Sequence, residues 1–303
     1  MQHNKDILWK GVLQWVLDDL LRFVFPNADQ VFDFQKKFGY LDKELAELNP
    51  GPGKKTDVRS VDNLVKVFRK DGGEEWILIH IEVQDRTKAK DRPLFPERMF
   101  RYYYRCFDRH HKSVVAIAIF CGPDGKKFKG TYTHEFMNTR VQYDYNTLSI
   151  LDYSDKELEE SKNPFAWVVL TAKKALLTGK NIDKKLLEGK LFIFRKLHEN
   201  GIFEKEKLRA ILKFLDKYIL FENRQTNRIF EKELNKITGK KNTMDILSEM
   251  YAEKKTLVVV KNLLTKTTHS IEEIAALADV SIDFVKEVKK KLRKKKKVAV
   301  RAK

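Results

Sequence analysis

Apolar residues first recur at helical spacing between Ile7 and Val24, at Leu8, Val12, Trp15, Val16, Leu20, Phe23 and Val24, and Pro26 closes that element. Further on the period shortens. Val61–Phe68 alternates loosely, Asp71-Gly72-Gly73 reads as a hairpin turn, and Trp76–Gln84 reads as a strand, so the two runs predict an antiparallel hairpin. Leu94–Phe107 predicts a helix with Phe95, Met99, Tyr102, Tyr103 and Cys106 on one side. SVVAIAIFC (Ser113–Cys121) is continuously apolar, the mark of a central strand covered on both faces. Thr131–Tyr145 is again β-rich. From Ser154 the spacing is helical almost throughout: Pro164–Leu177, Lys184–His198, Glu204–Phe221, Thr226–Ile237 and a further helix within Asn242–Leu264. At the end, Ser270 caps a helix carrying Ile271, Ile274, Ala275 and Leu277. Asp279-Val280-Ser281 turns the chain, and Ser281 caps a second helix over Ile282–Leu292. This spacing suits a helix-turn-helix and equally a plain α-hairpin with a basic end. The order predicts an α/β fold with a mixed sheet flanked by helices over residues 1–155, a helical region over 156–250, and a helix-turn-helix-like segment with a basic tail over 251–303.

Charge changes the picture more than composition does. The 303 residues hold 61 Lys and Arg against 43 Asp and Glu, a net +18. Residues 286–303 carry eleven basic side chains, Lys294, Lys295 and Lys296 among them, against the single acid Glu287, so this stretch supplies ten of the eighteen charges. Such a field attracts polyanions, of which nucleic acid is the commonest; the alternative is a solvated tail. No apolar run approaches the roughly 18–20 residues of a membrane span, and the start has no continuous apolar signal core. The expected setting is therefore the cytoplasm, at the nucleoid, with no membrane partner. Two cysteines, Cys106 and Cys121, are too few for a disulfide framework or a zinc site.

The candidate chemistry lies in ILIHIEVQDR (Ile77–Arg86). In a strand Glu82 and Gln84 point to one side and Ile81 and Val83 to the other. Burying an ionised Glu costs several kcal/mol unless it is paired or bound to a cation. With the hairpin turning near Gly72, Asp62 falls opposite roughly residue 82, and two carboxylates brought together there would repel. A Mg²⁺ ion, which takes oxygen ligands and keeps waters, would relieve that repulsion. Asp62 as a strand-entry cap and Glu82 paired with Arg86, Lys88 or Arg98 is the competing arrangement. His80 shares the face of Glu82 and reads as a packed polar neighbour.

Asp62 followed by Glu82-x-Gln84 at a strand end resembles the PD-(D/E)XK nuclease signature in its Glu-x-Gln form. More specifically, the chain resembles the Rpn family of recombination-promoting nucleases, also classed as transposases. The resemblance is carried by FPNADQVFDF (Phe25–Phe34), RSVDNLVKV (Arg59–Val67), WILIHIEVQ (Trp76–Gln84), PERMFRYYYRCFDRH (Pro96–His110) and NPFAWVVLTA (Asn163–Ala172), over about the first 180 residues. It implies a restriction-endonuclease-like core and a Mg²⁺-dependent DNA endonuclease (Mn²⁺ being the alternative ion), with Asp62, Glu82 and the Val83 carbonyl as metal ligands. Gln84 stands where most nucleases of this superfold carry Lys. A neutral amide orients a water or phosphate oxygen but does not acidify it, which leaves a catalytically weak DNA-binding protein as the alternative. Many members of the superfold add an acid from the first helix, where this chain has Asp18 and Asp19. Arg98 is placed to touch the scissile phosphate or orient Glu82, and the loop bearing Arg86, Lys88 and Lys90 to hold the DNA backbone. A homodimer would suit double-strand cutting.

Overall fold

The computed structural model describes residues 2–41, 63–82, 94–112, 114–123, 130–177, 181–200, 203–238, 256–257 and 259–300. The chain divides into two compact units, Met1–Glu233 and Leu234–Lys303.

Unit 1 is built on a mixed five-stranded sheet. Its strands are β1 (Gly39–Tyr40), β2 (Asn63–Phe68), β3 (Glu74–Glu82), β4 (Val114–Phe120) and, at the far edge, β7 (Asn146–Ser149), in the order β1-β2-β3-β4-β7. β1, β2 and β3 pair antiparallel, whereas β3–β4 and β4–β7 are parallel. The connection from β3 to β4 is the helix α3 (Leu94–His110), after α1 (Gln2–Val24) and the short α2 (Ala28–Val31). β4 lies inside the sheet with six of its seven residues buried, as its unbroken apolar run predicts. One sheet face, with Leu64, Trp76, Ala116, Ala118 and Phe120, packs under Phe95, Met99, Tyr102 and Cys106 of α3. On the other face Val65, Val67, Ile77, Ile117 and Ile119 are equally buried.

The β2–β3 hairpin forms as expected, with a shifted register. Asn63 faces Ile79 and Phe68 faces Glu74, two places earlier on β3 than a pairing of 62 with 82 requires. The cause lies in the turn. The Arg69 amide donates to the Gly73 carbonyl at 2.8 Å and Gly72 takes φ +89°, so the hairpin is centred on Asp71. A shift of two preserves the face.

β5 (Thr131–Phe136) and β6 (Thr139–Asp144) form a separate two-stranded ribbon. Met137 (φ 45°) and Asn138 (φ 64°) make its turn. Its Tyr143 ring lies 4.9 Å from Tyr103 of α3 and its Tyr132 ring 5.1 Å from Phe100. Of the three consecutive tyrosines in α3, then, Tyr102 packs on the sheet, Tyr103 on the ribbon, and Tyr104 is exposed.

Helices α4 (Asp155–Glu160), α5 (Pro164–Lys174), α6 (Ile182–Asn200), α7 (Lys205–Tyr218) and α8 (Arg224–Thr238) follow. α1, α5 and α7 meet around Trp9, whose indole N–H donates to the Tyr218 hydroxyl at 3.3 Å and whose ring stands 5.3 Å from Phe214. The buried stripe of α1 is Trp9, Val12, Leu13, Val16, Leu17, Leu20 and Leu21. Trp15, expected on that stripe, lies six residues from Trp9, about 240° round the helix at about 100° per residue, and is 50% exposed. The helix also departs from regular geometry at Val16 (φ −122°, ψ 27°).

Unit 2 contains a helical segment α9 (259–266), α10 (Ile271–Leu277) and α11 (Ile282–Val300), joined by a core of Val260, Ile274, Ala275, Val285 and Val288. Among the described residues, no helix is long and apolar enough to cross a membrane.

Candidate functional site at the carboxyl end of the sheet

The parallel strands β3, β4 and β7 end together. Glu82 pairs with Phe120, and Phe120 with Ser149, so the three positions form one row across the carboxyl edge. α3 runs back against the strands: its first turn meets their carboxyl ends, with Phe95 5.2 Å from Phe120, and its last meets their amino ends, with His110 5.0 Å from Trp76. The crossover therefore brings Arg98, one turn into α3, to the edge where Glu82 lies. The Arg98 guanidinium is 5.1 Å from the Phe95 ring. The carboxyl end of parallel strands is where α/β sheets open to ligands, and a helix N-terminus beside it adds partial positive charge.

The surroundings of this edge are apolar. Burial pushes the Tyr145 phenol well above its ordinary value, opposed by the charge of Arg98, which places those two groups within electrostatic reach. Phe95 packs 6.2 Å from Tyr145. Among the described residues the buried Ser149 hydroxyl has no hydrogen-bond partner, nor has that of Tyr143, whose phenol burial also pushes up. Deeper under α3, burial drives the Cys106 thiol up to about 12; Cys106 and Cys121 are both buried and neither forms a disulfide. Charge placed at this edge is screened less than on open surface.

Of the residues singled out from sequence, Glu82 ends β3 and Arg98 lies half-buried in α3 at the same end of the sheet. Asp62, Val83, Gln84, Arg86, Lys88 and Lys90 lie outside the described residues, as do the side chains of His80 and Glu82. Lys294, Lys295 and Lys296 fall in α11 of unit 2, where only the backbone is described. Two residues were missed, Ser149 and Tyr145. Their signal was a small polar residue set between Leu148 and Ile150 and an aromatic at the ribbon's exit, neither of which a reading of 131–145 as merely β-rich singles out.

The acids of the first helix are held elsewhere. The Lys207 ammonium stands 2.7 Å from both Asp18 and Asp19, and Arg22 adds contacts at 2.7 Å to Asp18 and 3.5 Å to Asp19. Burial raises the Asp19 pKa, countered by the hydrogen bond from Lys207. Arg22 also lies 4.2 Å over Phe34, in a segment tied to the turn end of the hairpin: the Asp33 amide donates to Phe68 at 2.8 Å and Phe32 bridges Arg69. The cluster thus belongs to the α1–α7 contact and the turn end of the sheet, away from Glu82.

Among the described residues no group of three or more His, Cys, Asp or Glu converges to hold a metal. The set implied by the sequence, two carboxylates and a backbone carbonyl, is all-oxygen and matches a hard divalent cation in chemistry. Comparison with protein-family models, with curated proteins and with solved structures finds no match.

Proposed function

We propose that the chain is a Mg²⁺-dependent DNA endonuclease with a PD-(D/E)XK core, related to the Rpn recombination-promoting nucleases. The observation that carries this reading is the placement of Glu82 at the carboxyl end of β3, in an antiparallel–parallel sheet whose crossover helix sets Arg98 at the same edge. Asp62, Glu82 and the Val83 carbonyl would hold the ion. When bound, Mg²⁺ would supply charge neutralisation at the phosphate and a more acidic water. The protein's own part is positioning. Gln84 would orient the attacking water or a phosphate oxygen through its amide, and Arg98 would hold a second phosphate oxygen. Arg86, Lys88 and Lys90 would hold the backbone without reading sequence.

Nicking of supercoiled plasmid by the purified protein in Mg²⁺ tests this. Asp62→Ala and Glu82→Ala should each abolish cutting while circular dichroism stays that of the parent. Variants that cut as well as the parent overturn the site. Gln84 in place of a lysine favours a second reading, a DNA-binding protein on a weakened nuclease scaffold. Salt-sensitive DNA binding that persists in EDTA, with no cutting in Mg²⁺ or Mn²⁺, would establish it.

A further inference from the structure

α10 and α11 are joined by a turn that leaves little freedom. The Ser270 hydroxyl accepts from the Glu273 amide at 3.1 Å and the Glu273 carboxylate accepts from the Ser270 amide at 2.7 Å, a reciprocal cap that starts α10. At its end the Asp279 amide donates to Ala276 at 3.3 Å and the Val280 amide to Ala275 at 3.0 Å, with Asp279 left-handed at φ 50°. The Ser281 hydroxyl then caps α11 through the Phe284 amide at 3.2 Å. Ile274 and Ala275 of α10, Val285 and Val288 of α11 and Val260 of α9 close the core beneath this turn. α10 spans only about 10 Å and α11 nearly three times that, at about 1.5 Å per residue, so α11 runs well beyond the helix it packs on.

The opposite stripe of the first turns of α11 is exposed and chemically specific. Asp283, Lys286, Glu287 and Lys290 follow i, i+3, i+4, i+7 spacing, so they share one face, and all four are exposed. Asp283 is 92% exposed, and its nearest cation, Lys286, stands 3.7 Å away. A face serving only to hold phosphates would carry no carboxylates. This one places two among the lysines, on the helix that leads into Lys291, Arg293, Lys294, Lys295, Lys296 and Lys297. Carboxylates accept from cytosine amino groups and lysines donate to guanine, whereas the basic run that follows suits the backbone.

We infer that α10 and α11 form a sequence-reading helix-turn-helix. In it, Asp283, Lys286, Glu287 and Lys290 contact base edges in the major groove of duplex DNA, and the distal lysines of α11 contact phosphates. The inference takes duplex DNA from the proposed function but concerns unit 2 alone, and it holds whether or not unit 1 cuts.

The test uses the full chain in EDTA, so that binding is scored without cleavage, on a pool of duplexes with a randomised core. The parent should enrich a discrete motif. Lys286→Ala combined with Glu287→Ala alters exposed positions and leaves both caps intact. It should weaken binding to that motif about 10-fold with little change on scrambled duplex. Lys294→Ala, Lys295→Ala and Lys296→Ala together should weaken binding to all sequences alike and flatten its salt dependence. Enrichment of no motif, survival of the motif in the α11 variant, or equal competition by duplex RNA each overturns the inference. Cutting in Mg²⁺, measured separately, reports on unit 1.

Discussion

At the turn end of the sheet, charge is matched by charge. Arg69 bonds Glu75 at 3.1 Å and also Asp71, while Glu74 accepts from Lys112 at 2.9 Å and lies 3.5 Å from Lys66. At the carboxyl end, polar groups sit among rings: Arg98 over Phe95, the Tyr145 phenol under burial, and the Ser149 hydroxyl without a partner among the described residues. Exposed ion pairs in high dielectric contribute little and leave no bonding capacity over. Polar groups set in apolar walls interact strongly with whatever arrives. Buried polar atoms without a described partner occur at both ends, Ser149 at one and Trp76 and His110 at the other. The ring-lined setting of Arg98 is therefore what distinguishes the carboxyl end, and single substitutions at each end separate them.

The largest effect is expected from one change made at both ends. On the proposed function, Glu82→Gln should lower single-turnover cutting by about 10³-fold, because loss of a proposed metal ligand would forfeit several kcal/mol of transition-state stabilisation. Glu74→Gln, eight residues earlier on the same strand, should leave the rate within about twofold, since its partners are surface lysines. Equal losses from both would erase the distinction between the ends.

The cluster of Asp18, Asp19, Arg22 and Lys207 gives the next effect. Lys207→Met leaves two carboxylates, one of them only 7% exposed, to Arg22 alone among the cations of the described residues, and should cost about 2 kcal/mol in urea unfolding. Asp19→Asn should keep the parent rate of cutting per folded molecule, because its side chain answers to α7. A folded Asp19→Asn protein that no longer cuts would move Asp19 into the site.

Arg98 tests the carboxyl end without touching a proposed metal ligand. Arg98→Lys keeps the charge but loses the planar fork that binds two oxygens at once, and should slow cutting about 10-fold with DNA affinity nearly unchanged. A rate equal to the parent's would reduce Arg98 to a packing partner of Phe95.

Much of this architecture was legible because burial writes itself into spacing. The unbroken apolar run of β4 marked a strand inside the sheet, and the apolar side of α3 is the side that covers it. The caps at Ser270 and Ser281 were legible from residue type and distance alone. What escaped depends on contacts remote in sequence. Lys190 is 3% exposed, yet it reads as one more solvated lysine. Its ammonium donates to the Asp216 and Ile219 carbonyls at 2.9 and 3.0 Å and lies 4.5 Å over Phe230, capping α7 from a different helix. Trp9 and Trp15 are both large apolar residues of α1, but only their positions on the wheel, about 240° apart at about 100° per residue, decide that Trp9 is buried and Trp15 exposed. The candidate site was half legible. The strand-end acid and the arginine could be placed on one edge in advance, whereas Ser149 joins their row only through a parallel pairing that spacing does not reveal.

The hairpin turn supplies a smaller effect. Gly72 holds φ +89° with open space around the position a Cβ would take, so Gly72→Ala meets strain and no clash. The cost should be about 1 kcal/mol, read in urea. A neutral result would mean that the Arg69–Gly73 bond, and not the glycine, sets the β2–β3 register.

The smallest expected effect depends on pH. The hydrogen bond from Lys112, opposed by burial and reinforced by the charges of Lys112 and Lys66, holds the Glu74 carboxyl below its ordinary value of 4.5. A carboxyl whose pKa is lower folded than unfolded binds fewer protons in the native state. Its contribution is therefore complete above the ordinary value and fades as pH falls through the folded one. Glu74→Gln removes the ionisable group, so the parent should melt above the variant near neutral pH, and the gap should close as the solution is acidified below 4.5. The carboxyl-end variant Arg98→Lys keeps its charge at every pH in that range, so its melting gap from the parent should not change as Glu74 protonates. Melting curves of the parent and both variants across that range make the comparison. A Glu74 gap that persisted in acid would mean that its ion pairs carry none of the stability of the turn end and that shape, not charge, holds the hairpin there.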